Sequence, residues 1–108
     1  MALFRNLFHL VKITNNCAQP KKLGTVTRGD MVVFVNLEPK PCILTGLGSA
    51  SQTRFLALEA GNRPGSIGMI KATKSGTHEY SVYFIEADRS ISPGCGGAGN
   101  EPEMIVGG

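Results

Sequence analysis

Residues Ser75 to Phe84, Ser-Gly-Thr-His-Glu-Tyr-Ser-Val-Tyr-Phe, constrain this chain more than any other stretch. Tyr80, Val82 and Phe84 recur at every second position while Glu79, Ser81 and Tyr83 fill the positions between, which is the alternation of a strand with one buried face. Gly76 opens that strand. Gly 14 and Pro 6 in 108 residues place turn signals close together and favour many short strands over long helices. A chain of this length is expected to form one domain, residues 1–108, burying about 65 % of its unfolded surface without help from a metal or a disulfide.

Other segments repeat the pattern. Leu7 to Thr14 reads as a strand ended by Asn15-Asn16 and Pro20, and Met1 to Asn6 as either a frayed end or an apolar arm that docks on a partner. Thr25 to Thr27 and the β-branched run Met31 to Asn36 flank Arg28-Gly29-Asp30, which predicts a hairpin. Pro39 and Pro41 force a loop, since each lacks a donor and biases its predecessor away from helix. Cys42 to Leu47 reads as a strand, Thr53 to Leu58 as a strand or a short turn-like segment, and Ser66 to Thr73 as a strand weakened by Gly68. Ile85 to Pro102, rich in Ser, Gly and Pro, is expected as one long loop, with Glu103 to Val106 a final strand. The expected fold class is all-β.

Charge and motifs exclude more than they assign. Lys+Arg 11 against Asp+Glu 8 gives a net +3 with only Lys21-Lys22 adjacent among the cations, too dispersed for a nucleic-acid stripe. The opening residues are interrupted by Arg5, Asn6 and His9, so they lack the run of a signal peptide and the length of a membrane span. A cytoplasmic location is expected for the chain as it stands, and a periplasmic or secreted one if a leader has been removed. Three cysteines without an export signal favour free thiols over a disulfide framework.

Gly94-Cys-Gly-Gly-Ala-Gly99 matches the letters of a dinucleotide fingerprint, but Pro93 before it and Pro102 after it deny it the strand and helix that such a site needs. Arg28-Gly29-Asp30 spells an adhesion tripeptide, yet a turn uses Gly and Asp for backbone reasons alone. Neither His9 nor His78 has a neighbour pattern suited to a Ser-His-Asp arrangement, and no G-x-S-x-G elbow occurs. Glu101 and Glu103 read as carboxylates on an edge strand facing water, and Glu86 with Asp88 likewise as solvated carboxylates. No enzyme is expected.

Val26-Thr-Arg-Gly-Asp-Met-Val-Val-Phe-Val-Asn36 followed by Pro41, then Gly76 to Tyr83, then Glu101-Pro-Glu-Met-Ile-Val-Gly107, together resemble the cupredoxin family of plastocyanin-like proteins. The closing segment is similar to that of small bacterial cupredoxin-like proteins ending in Pro-Glu-Ile-Ile-Val. The resemblance implies a Greek-key β-sandwich of about seven or eight strands, with Tyr80 at the position where the family's corner tyrosine packs. It also implies a copper site built from a His after the third-strand Asn, a Cys at the end of the seventh strand, a second His and usually a Met. This chain departs from it: Cys42 follows Pro41, Phe84 ends the strand, no His follows His78, and Met104 comes too late for the usual axial ligand.

If strands one, three and seven of that fold run the same way, the loops after them bring Cys17, Cys42 and Cys95 to one end of the sandwich. Those thiols are then unconnected loop residues, or two of them form a disulfide whose loop of roughly 50 residues adds about 4 kcal/mol, or they bind a soft ion such as Cu(I) or zinc. The resulting expectation is a copper-free binding or structural module without a cofactor. Its partner is a protein, neither nucleic acid nor membrane, with self-association through an edge strand as one route. The alternative is a metal-binding or electron-transfer protein with a non-standard, thiol-based site.

Overall fold

The computed structural model describes residues 7–95 and 101–108; the expectations for Met1 to Asn6, and part of the Gly94 to Gly99 run, lie outside them. Eleven strands occur among the described residues: β1 Phe8–Thr14, β2 Cys17–Gln19, β3 Lys22–Thr27, β4 Met31–Asn36, β5 Cys42–Thr45, β6 Phe55–Leu58, β7 Ile67–Lys71, β8 Gly76–Glu79, β9 Ser81–Ile85, β10 Ile91–Pro93 and β11 Glu103–Gly107. A single turn of 3-10 helix, Leu47–Ser49, follows β5. One layer is the sheet β2-β1-β4-β7; the other comprises β10-β9-β5-β6 and β3-β11-β8, joined because β8 and β9 are consecutive. The fold is the expected all-β Greek-key sandwich, with more strands than the seven or eight implied by the resemblance.

The extra strands have local causes. At Tyr80 the long strand from Gly76 to Ile85 changes partners: the Tyr80 N–H donates to the Pro102 carbonyl at 3.0 Å, β8 pairs with β11 and β9 with β5. Residues expected as one long loop contain β10, which pairs antiparallel with β9, Ile91 opposite Ile85. Alternation then selects the core. Val11, Ile13, Val32, Phe34 and Ile70 point inward from one layer, and Leu44, Val82, Phe84, Met104 and Val106 from the other, all essentially without solvent contact. Tyr80 is buried among them, edge-on to Phe34 with ring centroids 5.7 Å apart, and burial pushes its phenol pKa up.

Three sequence expectations are corrected here. The hairpin across Arg28 to Asp30 does not form: β4 lies between β1 and β7, while β3 pairs with β11, so the turn carries the chain from one layer to the other. Both strands have hairpin-like local patterns, but β1 and β7 occupy both edges of β4. Glu103 is not on an edge strand, because β11 sits between β3 and β8; its carboxylate meets the Lys22 ammonium at 3.2 Å. Gly68, read as a weakness in its strand, is where the layers close. A Cβ there would stand 2.9 Å from methyl groups of Leu56 and Leu58 on β6, so any larger residue would require those leucines to shift.

Candidate functional site

Strands β1 and β4 run parallel, so the turns that follow them leave the sandwich at one end, where the segment after β10 also arrives. Backbone bonds tie these pieces together: Leu37 N–H to the Ile13 carbonyl at 2.9 Å, Cys95 N–H to the Asn16 carbonyl at 2.6 Å, and Asn16 N–H to a Glu38 carboxylate oxygen at 2.8 Å. Cys17 and Cys95 are joined in a disulfide with Cα atoms 4.7 Å apart. The free-thiol expectation is therefore corrected for these two, while Cys42 remains a free, buried thiol. The physical reason is topological: β2 lies in one layer and β10 in the other, and the shared end brings their flanking cysteines within bridging distance.

Cys42 opens β5, directly across from Phe84 on β9 and Leu58 on β6. Burial pushes its thiol pKa up to about 12, with the Glu38 charge adding to the effect, so the sulfur carries its proton at neutral pH. Phe84 has no exposed surface. Gly94 packs so closely on it that a Cβ at Gly94 would lie 3.1 Å from the ring. The Lys40 ammonium sits 5.0 Å from the Phe84 ring centroid and 2.9 Å from a Glu86 carboxylate oxygen. Glu86 also accepts from the Ser92 hydroxyl, and these two bonds, Ser92 first, lower its pKa.

Both imidazoles are engaged elsewhere. His78 Nε2 donates to the Lys74 carbonyl at 2.8 Å, and Nδ1 lies 3.2 Å from the Ser49 hydroxyl. His9 Nε2 donates to Asp30 at 2.8 Å, and the same carboxylate accepts from the Leu7 and Thr27 N–H groups, each at 3.0 Å. Asp30 is only 2 % exposed, so the Asp of the Arg-Gly-Asp turn faces inward as a clamp on the start of β1 and is not presented as a ligand. Sequence reasoning saw the turn and missed the clamp. Its one visible signal was an acidic residue next to a buried strand.

The His9 bond first, then the Thr27 and Leu7 amides, hold the Asp30 pKa at about 2 against 3.8 for an ordinary aspartate. A depressed carboxylate contributes stability that is present above its unfolded pKa and lost as pH falls through the folded one, here between about pH 4 and pH 2. Asp30→Asn is expected to lower stability by about 2 kcal/mol at neutral pH and by less than half of that near pH 2.5. Urea midpoints of both proteins at the two pH values check this, and parallel losses at both would refute the linkage.

These placements decide whether the residues suit the copper that the resemblance implies. They do not. The strand end holds a phenyl ring with an ammonium over it, the neighbouring thiol keeps its proton, and both imidazoles are hydrogen-bonded elsewhere in the fold. Among the described residues no three His, Cys, Asp or Glu side chains form a group able to hold a metal ion. No helix among them is long and apolar enough to cross a membrane.

The outward face of β1-β4-β7 has a different character. In register across the three strands stand Phe8, Met31 and Lys71, then Leu10, Val33 and Met69, then Lys12, Val35 and Ile67. Apolar side chains occupy every position of this grid except two opposite corners, and Phe8, Leu10, Ile67 and Met69 are each at least half exposed. Polar residues normally take the solvent face of an antiparallel or mixed sheet.

No protein-family model and no curated protein sequence matches this chain. Among solved structures it is similar to the Cu(I) form of a methionine-to-alanine variant of amicyanin, at TM-score 0.62 and 17 % identity, covering 92 % of this chain and 81 % of that one. A second methionine-to-alanine variant in the Cu(I) form gives TM-score 0.62 and 16 % identity over 97 % and 86 % of the two chains. A proline-to-glycine variant, in its reduced Cu(I) form at pH 4, gives TM-score 0.60 and 15 % identity over 98 % and 86 %. Two packed layers, the partner switch at Tyr80 and this likeness along nearly the whole chain establish that the protein has a cupredoxin-like fold.

Proposed function

We propose that this protein is a copper-free, non-enzymatic binding module, and that it works by covering its apolar sheet face with a protein partner. The observation that carries the reading is the pairing of Phe84 with Cys42 at the strand ends. A buried ring capped by Lys40 offers a metal neither a lone pair nor a negative charge, while the frame around it is intact. The apolar grid on β1, β4 and β7 gives the module its contact surface. The Cys17–Cys95 bridge supports the periplasmic or secreted location over the cytoplasmic one, because disulfides persist in oxidising compartments.

Titration with metal ions tests the reading. Cupric salt is expected to produce no intense thiolate-to-copper absorption, and Cu(II), Cu(I) and zinc are each expected to leave the unfolding temperature unchanged, in oxidised and in reduced protein. A ligand specific to the native state must raise that temperature, by about 2.7 kcal/mol of stability at a hundredfold excess over Kd. A rise confined to reduced protein would favour the thiol-based alternative, and a rise in both forms would overturn the copper-free reading.

A further inference from the structure

We infer that the apolar face of β1, β4 and β7 takes one amphipathic helix of a protein partner, laid from Lys12 to Lys71, with a carboxylate near each end to meet the two ammonium groups. The inference rests on the reading of this face as the module's contact surface and names the chemistry of what covers it.

Charge on this face is of one sign. Apolar side chains fill it except at Lys12 and Lys71, which stand at diagonally opposite corners. Both lysines are exposed, and among the described residues neither makes a hydrogen bond or an ion pair. Elsewhere the chain pairs its lysines: Lys22 meets Glu103 at 3.2 Å and Lys40 meets Glu86 at 2.9 Å. The carboxylates at the ends of these strands are engaged, Asp30 inward with His9 and Glu38 with the Asn16 N–H. Neutral polar groups bound both corners, Gln19 opposite Lys12 on β2, and Gln52, Thr53 and Thr73 around a cleft shared with Lys71.

An occupant must therefore supply apolar surface together with negative charge at two points. A second copy of this chain supplies only the surface. Whichever two-fold axis sets two such faces together in register, each Lys12 and Lys71 meets an apolar side chain or another lysine, and no carboxylate reaches them. An anionic membrane supplies both, but it is held by clusters of about four to eight cations, and this chain has no tryptophan to anchor at the interface.

Geometry selects a helix. A segment lying on the face of a sheet reaches none of the sheet's peptide groups, which point within the layer toward neighbouring strands. Its own N–H and C=O groups must be satisfied internally against an apolar surface, as they are in a helix and not in a lone extended strand. Three strands about 4.8 Å apart span about 10 Å, the diameter of one helix. Lys12 and Lys71 are separated by two strand spacings across and four residues along, about 16 Å on the diagonal, which a helix covers in about 11 residues. Such a stretch is about three turns, so carboxylates at that spacing share one face with the apolar residues between them.

Fluorescence anisotropy tests the match with a labelled helical peptide of about 18 residues, with leucine along one face and two glutamates at that spacing, and with a twin carrying lysines instead. The glutamate peptide is expected to bind about tenfold more tightly than the twin at low ionic strength, each exposed ion pair contributing up to about fivefold, and the ratio is expected to shrink at high salt. Halving the glutamate spacing should remove most of the advantage. The Lys12→Glu/Lys71→Glu double variant is expected to reverse the preference with a wild-type circular dichroism spectrum, and Leu10→Glu to weaken both peptides. Equal binding of the glutamate peptide and its twin would overturn the charge-matched helix while leaving the apolar contact face in place. No binding of either peptide by about 1 mM would overturn it as well, and pelleting on phosphatidylserine vesicles or sedimentation as a dimer would then assign the face to a membrane or to a second copy.

Discussion

Reduction of the Cys17–Cys95 disulfide is expected to lower the unfolding temperature by more than about 15 °C. The bridge closes a sequence separation of 78 residues. In the chain-entropy account such a loop restrains the unfolded ensemble by about 4 to 5 kcal/mol. For a domain of about 100 residues each kcal/mol moves the midpoint by about 4 to 8 °C, and the whole margin of stability is only about 5 to 15 kcal/mol. The bridge also ties β2 of one layer to the segment after β10 of the other, so its loss frees both layers at the end where Phe84 is packed. Scanning calorimetry with and without a phosphine reductant measures the shift, and a Cys17→Ser/Cys95→Ser double variant should reproduce the reduced protein. Two newly titratable thiols with an unmoved midpoint would refute it. Cys42, buried and protonated, should react with thiol reagents only on unfolding.

Asn36→Ala is expected to cost about 3 to 5 kcal/mol, a large effect for a single surface-free amide. Asn36 is fully buried at the end of β4. Its Nδ2 donates to the Lys40 and Glu59 carbonyls, both at 2.9 Å, and its Oδ1 accepts from the Glu38 N–H at 3.0 Å. One side chain thus holds the proline-bearing loop that delivers Lys40 and Cys42, and fastens it to the turn after β6. Removing it strands three backbone groups at about 1 to 3 kcal/mol for each that stays dry. Asn36→Asp keeps the shape but points a carboxylate at two carbonyls, so it should be no better than alanine. Urea unfolding gives the answer as a lower midpoint with an unchanged slope. A loss below about 1 kcal/mol for both variants would mean that water replaces the amide.

Much of this architecture was legible in the residues. Tyr80, Val82 and Phe84 share one parity and are buried as alternation requires, because a strand has no other way to present an apolar face. The meeting of Cys17 with Cys95 rests on a fact of the fold, that parallel β1 and β4 send their following turns the same way. What alternation lacks is partner choice. Thr25 to Thr27 and Met31 to Asn36 look like a hairpin locally, yet the pairing energy of β4 is taken by strands distant in sequence. The Ser92-Pro93 stretch pairs with β9 only because Ile85 and Ile91 are brought opposite one another by the Glu86 to Ser90 turn.

The same division runs through the functional reading. That Phe84 stands where the family resemblance sets a metal-binding cysteine, and that His9 and His78 are the chain's whole stock of imidazole, follow from composition and order alone, because donor chemistry belongs to the side chain wherever it lies. Which thiols bond and which carboxylate is buried depend on groups distant in the chain arriving within a few ångströms, and hydrogen bonds and disulfides form only at that range. Cys17 with Cys95 and Asp30 with His9 were therefore settled by the tertiary fold.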